Sequence, residues 1–249
     1  MNSLTLLHSD IPAPDLLEVI YQDAELVAIN KPSGLLVHRS PIDKHETRFA
    51  VQELRNQLGQ HVYPLHRLDK PTSGVLVFAL CREAASFYGQ QFQEHQIRKT
   101  YLALVRGHGP NQLSIDYALK EEADNYAGIT GGGEAKPALT HVQCLQKFEI
   151  PLTVDRYPTT RLSLMKCEPV TGRKHQLRRH LKHIGHPIIG DSRHGKGVLN
   201  RACEGYFGAG RLWLACTQMV LARRDGSALV VDAPLAADFQ QVLTQINHA

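Results

Sequence analysis

Apolar and polar positions alternate, run or recur along this chain in ways that predict its elements. Val19 to Tyr21 and Leu26 to Asn30 read as two short strands turning at Asp23-Ala24. Lys31 to Gly34 reads as a loop, after which Leu35 to His38 resumes an extended run. The stretch from Arg39 to Glu46 is polar and of mixed charge. Val51, Leu54 and Leu58 then recur at helical spacing, with Gly59 placed to stop the helix. Val75 to Leu80 is a continuous apolar run, the pattern of a strand buried on both faces. Residues 82 to 96 predict a helix that turns Ala84, Phe87, Tyr88, Gln91 and Phe92 inward, and Tyr101 to Val105 predicts a strand. Glu121 to Lys136, with Gly131-Gly132-Gly133, reads as a long mobile loop. It is not a phosphate cradle, because no GK[ST] and no evident helix follow it. Leu139 to Phe148 and Leu162 to Cys167 predict strands around the loop Asp155 to Arg161. A helix is predicted from about Gly172, with Leu177, Leu181 and Ile184 facing the core. Leu212 to Ala222 and Ala228 to Asp232 predict strands, and Phe239, Val242, Leu243 and Ile246 a closing amphipathic helix. Many strands, few helices and no βαβ alternation predict an α+β fold with a largely antiparallel sheet. Residues 1–17, with Pro12 and Pro14, read as a flexible lead, and 18–249 as one domain.

Composition adds limits. With 249 residues, 43% of them hydrophobic, the chain can bury one good core, and its net charge of +4 does not by itself declare a nucleic-acid binder. The five cysteines form no CxxC pair and read as reduced core thiols of a cytosolic protein. The N-terminus lacks the basic start of a secretory signal, and no apolar run approaches the ~20 residues that span a membrane.

Charge is concentrated locally. Residues 171 to 186 hold Arg173, Lys174, Arg178, Arg179 and Lys182 with no acid among them, and His175, Arg178 and Lys182 are predicted to share one helical stripe. An unbalanced cationic stripe attracts a phosphate backbone, although a solvated basic face has the same composition. The string His175, His180, His183, His186 invites a zinc reading. The spacing is wrong for paired ligands, no HExxH is present and no acid lies between Glu168 and Asp191, so no metal is expected. The densest chemistry is His66-Arg67-Leu68-Asp69-Lys70-Pro71-Thr72-Ser73-Gly74. If residues 66 to 69 run extended, Arg67 and Asp69 share one side and His66 and Leu68 the other. Pro71 biases Lys70 toward that conformation, and Gly74 allows a backbone other residues resist. A surface ion pair is the plain alternative.

HRLDKPTSG closely resembles the signature of the RluA-type pseudouridine synthases, which isomerise uridine within RNA. The resemblance continues in Lys31 to Val37 (KPxGxxV), Lys99 to Val105 (KxYxAxV), Thr171 to Arg178 (TGRxHQLR) and His186 to Asp191 (HPIxGD), in order, over roughly residues 18 to 235. It implies a central mixed sheet with the active-site cleft across it, and a reaction without cofactor, since the base is its own leaving group and nucleophile. It implies that Asp69 is the carboxylate beside C1′, as nucleophile or base, and that Arg178 keeps it ionised in a dry pocket. It implies that Arg67 fills the space of a flipped uridine, and that Tyr101 stacks on the uracil and assists proton removal at C5. His66, Arg173, Lys174, His175, Arg179 and Lys182 complete the expected RNA contacts.

Lys70 stands where some members carry arginine, and the lead before residue 18 is too short for the extra RNA-binding domain of several ribosomal-RNA members. With His38-Arg39-Ser40, the segment Arg156 to Arg161 and RKHQLRRHL, the chain most resembles the subgroup acting on uridine 65 in the T stem of tRNA. Ribosomal RNA as substrate, or an RNA-binding relative without activity, are the alternatives. No protein partner is expected.

Overall fold

The computed structural model describes residues 16–39, 45–120, 122 and 133–249. The predicted lead therefore lies outside them apart from Leu16 and Leu17, as do residues 40–44 of the polar stretch and all but the edges of the glycine-rich loop. Leu17 is buried and bonded through its backbone to Gln57.

The elements in order are β1 (Val19–Gln22), β2 (Leu26–Lys31), α1 (Ala50–Leu58), β3 (Tyr63–Pro64), β4 (Ser73–Ala79), α2 (Arg82–Gln93), β5 (Arg98–Arg106), β6 (Gln112–Asp116), β7 (Leu119–Lys120), β8 (Ala135–Lys136), β9 (Leu139–Ile150), β10 (Thr160–Pro169), α3 (Gln176–His183), α4 (Gly197–Phe207), β11 (Leu214–Ala222), β12 (Ala228–Asp232) and α5 (Ala237–Asn247). The main sheet runs β1-β2-β4-β11-β5-β10-β9-β6, with β12 on β11 and β3 on β4. Every pairing in it is antiparallel except β4 with β11. This is the mixed, largely antiparallel α+β architecture expected.

Helices cover the sheet through apolar stripes. Ala50 and Leu54 of α1 and Ala84 and Tyr88 of α2 pack on β2 and β4. Leu177 and Leu181 of α3 pack on Ala103, Val105, Met165 and Cys167. Leu199, Cys203 and Phe207 of α4 and Phe239, Val242 and Ile246 of α5 close around Trp213. Side chains buried this fully each contribute on the order of 1.5–3 kcal/mol by leaving water. Among the described residues no helix is long and apolar enough to cross a membrane.

The single parallel pairing organises the molecule. Cys216 of β11 is opposite Gly74 of β4 on one side and Tyr101 of β5 on the other, so the end of the HRLDKPTSG segment lies level with Tyr101. Gly74 has φ +105°, and a Cβ there would sit 2.0 Å from the Cys216 carbonyl oxygen. Only glycine lets β4 and β11 approach so closely.

Two predicted features come out differently, and some elements were not predicted. Leu35 to His38 forms no strand, only an isolated bridge from Leu36 to Phe49. The third helix starts at Gln176 rather than near Gly172, because His175 takes a left-handed backbone (φ 54°) that an α-helix excludes. The edge strand β6 and the helix α4 have no counterpart in the predicted elements.

Candidate active site

Asp69 ends the irregular segment before β4, where Thr72 N–H donates to its carbonyl and closes a turn over Lys70-Pro71. Within that segment Leu68 is buried and Arg67 exposed, as alternation requires. The fold also ties the turn down from behind. Lys31, fully buried at the end of β2, donates from Nζ to the carbonyls of Pro32 (2.9 Å), Leu35 (2.7 Å) and Lys70 (3.1 Å). Burial first, and Arg211 nearby, lower its ammonium to about 7, with Asp69 opposing.

The Asp69 side chain, 23% exposed, faces a cleft of about 450 Å³. The cleft is lined by Arg67, Leu68, Lys99, Tyr101, His175 and Leu214, among others. Arg178 reaches it from α3. Its Nε and Nη2 donate to the two oxygens of Asp191, both at 2.8 Å, and its Nη1 donates to Asp69 Oδ2 at 3.1 Å. Asp191 has no exposed side-chain surface and accepts two further hydrogen bonds, from the backbone N–H groups of Arg193 and His194 (2.9 Å each). Burial would raise the Asp191 carboxyl, but Arg178 and these N–H groups hold it below the usual carboxylate range. Gly190, at φ +81° against the Arg211 carbonyl, allows the turn that presents Asp191. The planar guanidinium is thus fixed on one carboxylate and offers its remaining edge to the other.

Tyr101 points into the same cleft from β5. Burial raises its phenol well above the usual range, and the neighbouring Cys216 thiol adds to this. The hydroxyl stays protonated, and the side chain lines the cleft together with Asp69.

His175 was expected to share one helical stripe with Arg178 and Lys182. The structure separates the three: Lys182 is exposed, Arg178 is buried, and His175 precedes the helix and turns to the cleft. Its Nε2 lies 3.7 Å from Asp69 Oδ2 and its Nδ1 2.8 Å from Glu122 Oε2. His66 Nε2 accepts from Val77 N–H at 3.1 Å and its ring stacks on Phe92, in the wall of the cleft. Burial holds the His66 imidazole down at about 3. Arg179, also expected on phosphate, donates to the Lys120 carbonyl (2.8 Å) and faces Glu122. Arg173 and Lys174 both line the cleft, and Arg173 Nε also donates to the Pro137 carbonyl (3.2 Å).

The histidine string is dispersed. His180 bonds Thr140 and the Tyr117 carbonyl, His183 stacks on Tyr117, and His186 bonds the Arg106 carbonyl. A different trio does gather, Glu122 with His175 and His194, with donor atoms within 4.8 Å of one another. Two guanidiniums already face that carboxylate, Arg193 at 3.6 Å and Arg179 at 3.7 Å, which opposes a further cation there. Asp191, Glu122 and His194 were not singled out as site residues. Asp191 ends the HPIIGD motif, which is a signal of a kind. Glu122 and His194 lie about 70 positions apart, and only folding joins them.

Residues 25–183 match the family described as RNA pseudouridylate synthase. The chain belongs to that family. It is 48% identical to the tRNA pseudouridine synthase C of Vibrio parahaemolyticus, over 94% of this chain and 97% of that protein. It is 51% identical to the protein of that name from Pectobacterium carotovorum, over 93% of this chain but 62% of the relative's length. Among solved structures, human RNA Pseudouridylate Synthase Domain Containing 1 superposes with a TM-score of 0.68, at 24% identity, over 94% of this chain and 95% of that one. That likeness shows the fold. The HRLDKPTSG and TGRKHQLR segments meet at Asp69 and Arg178, 109 positions apart in sequence, within the family's matched region.

Proposed function

We propose that this chain isomerises a uridine of tRNA to pseudouridine, at position 65 in the T stem, as a cytoplasmic enzyme without metal or organic cofactor. Asp69 is the catalytic carboxylate, Arg178 its charge partner, and Tyr101 the platform for the uracil ring. The observation that carries the reading is the 3.1 Å contact between Arg178 and Asp69 at the cleft. The tRNA assignment draws support from relatives named for that activity.

The reaction breaks the bond from C1′ to N1 of the uracil, turns the base and joins C1′ to C5. An ionised carboxylate beside C1′ serves this chemistry, and Asp69 faces the cleft with Tyr101 and with Arg178 bonded to it. The uridine must leave its stack to arrive there. Arg67 fills the vacated space, a role supported by its exposure at the cleft. Arg173, Lys174 and Lys182 supply positive charge toward the RNA backbone.

The test is Asp69→Asn, an amide of the same size that serves neither as nucleophile nor as base. Pseudouridine formation in a tRNA transcript is expected to vanish, with tRNA affinity kept within a few-fold. Appreciable turnover by this variant, with deamidation excluded by mass spectrometry, contradicts the role given to Asp69.

A further inference from the structure

The reaction also needs a proton acceptor. Once C1′ is joined to C5, that carbon still carries its hydrogen, and a base near Asp69 has to remove it. Tyr101 is poorly suited, since burial raises its phenol well above the usual range. His66 is poorly suited because its Nε2 already accepts from Val77 N–H.

His175 is built differently. Its Nδ1 lies 2.8 Å from Glu122 Oε2, and an ionised carboxylate only accepts, so Nδ1 carries the hydrogen and donates it. In the neutral ring Nε2 then has a bare lone pair, and this is the atom 3.7 Å from Asp69 Oδ2 in the cleft. Burial lowers the His175 imidazole below its usual value, and Arg178 adds to this against Asp69 and Glu122, so the ring is neutral at pH 7. Burial alone would raise the Glu122 carboxyl, but His175, Arg193 and Arg179 outweigh it and keep the acid ionised. His194 Nε2 closes the far side, 3.4 Å from His175 Nδ1. The ring is held in place by a left-handed backbone at φ 54°, a conformation that costs energy for a non-glycine residue.

We propose that His175 is the catalytic proton acceptor at C5 and that Glu122 positions it by fixing the tautomer that leaves Nε2 bare. The step balances. The C5–H bond breaks and its proton passes to Nε2, its electron pair forms the C5–C6 double bond, the N1–C6 double bond opens onto N1 and N1 takes up a proton, so the isomerisation neither consumes nor releases one. The resulting imidazolium lies between two carboxylates, Asp69 and Glu122, that stabilise it.

This inference rests on the pseudouridine synthase reading above. The test uses His175→Asn, because asparagine tolerates the left-handed backbone, and Glu122→Gln, whose amide can donate to Nδ1 and push the hydrogen onto Nε2. Both are assayed under single-turnover conditions on a tRNA transcript carrying 5-deuterouridine. His175→Asn is expected to slow the saturated rate by ~100-fold or more, within the usual range for a lost general base. It should also expose a primary C5 isotope effect absent from the wild-type chain and remove the fall in rate below the usual histidine range of pH. Glu122→Gln should show the same isotope effect with the histidine still present. A wild-type rate in His175→Asn overturns the proposal, as does slowing that saturating tRNA restores, or slowing with no isotope effect. A wild-type chain that forms no pseudouridine overturns the underlying reading instead, a result the variants cannot mimic.

Discussion

At the scale of single residues, the site depends on a guanidinium shared between two acids. Arg178 makes two parallel hydrogen bonds to Asp191 and one to Asp69, which requires a planar fork with a free edge. Lysine has the charge but not that shape. Arg178→Met is therefore expected to cost ~3–5 kcal/mol of stability or turnover, as when one partner leaves a buried pair. Arg178→Lys should recover only part of the rate; full recovery in single-turnover assays, with the fold intact by circular dichroism, would sever Arg178's geometry from its role. A second residue effect concerns pH. His66 titrates at about 3 in the fold because of burial, against its usual 6.5. A depressed folded value means that protonation favours the unfolded chain, so this stability is complete above about 6.5 and lost as pH falls toward 3. At pH 5 the loss amounts to roughly 2 kcal/mol at most. His66→Gln should flatten the decline in urea midpoint between pH 7 and 5; an unchanged slope assigns the acid sensitivity to other groups.

At the scale of elements, the parallel contact between β4 and β11 sets where Asp69 and Tyr101 meet. Gly74→Ala places a methyl 2.0 Å from the Cys216 carbonyl oxygen on a backbone at φ +105°. The backbone strain alone costs on the order of 1–3 kcal/mol, and the clash must separate the strands. Activity is expected to fall together with melting temperature, and a variant as stable and active as the wild type would show the close approach to be dispensable. Strands with continuous or alternating apolar residues, such as Leu26 to Asn30 and Val75 to Leu80, were legible in the sequence because burial leaves a direct mark on composition. Strand β6 left almost none, since Ile115 is its one buried residue. Helix α4 carries glycine at 197 and 205, which weakens the helical signal although Leu199, Cys203 and Phe207 recur at turn spacing. The boundary of α3 was misread because a left-handed His175 cannot be inferred from a run of good helix formers.

At the scale of the whole molecule, the proposed catalytic constellation joins residues from β5, α3 and the loops before β4, after β7, before α3 and after α3. Motif order made Asp69, Tyr101 and Arg178 legible in advance, because each lies in a segment whose chemistry stands out locally. Glu122 and His194 were not legible, since one acid of several ahead of a glycine-rich stretch and one histidine among 14 carry no local signal. At His66 and Arg179 the sequence shows a ring and a charge, and only the fold shows that both line the cleft while His66 accepts from Val77 N–H and Arg179 donates to the Lys120 carbonyl. The central claim, that this cleft makes one pseudouridine in tRNA, is tested most directly by mapping pseudouridine across total RNA from cells that lack the gene. The account predicts loss of the modification at position 65 of tRNA with other sites retained, restored by the wild-type chain and not by Asp69→Asn. An unchanged tRNA map, or a loss confined to ribosomal RNA, would contradict it.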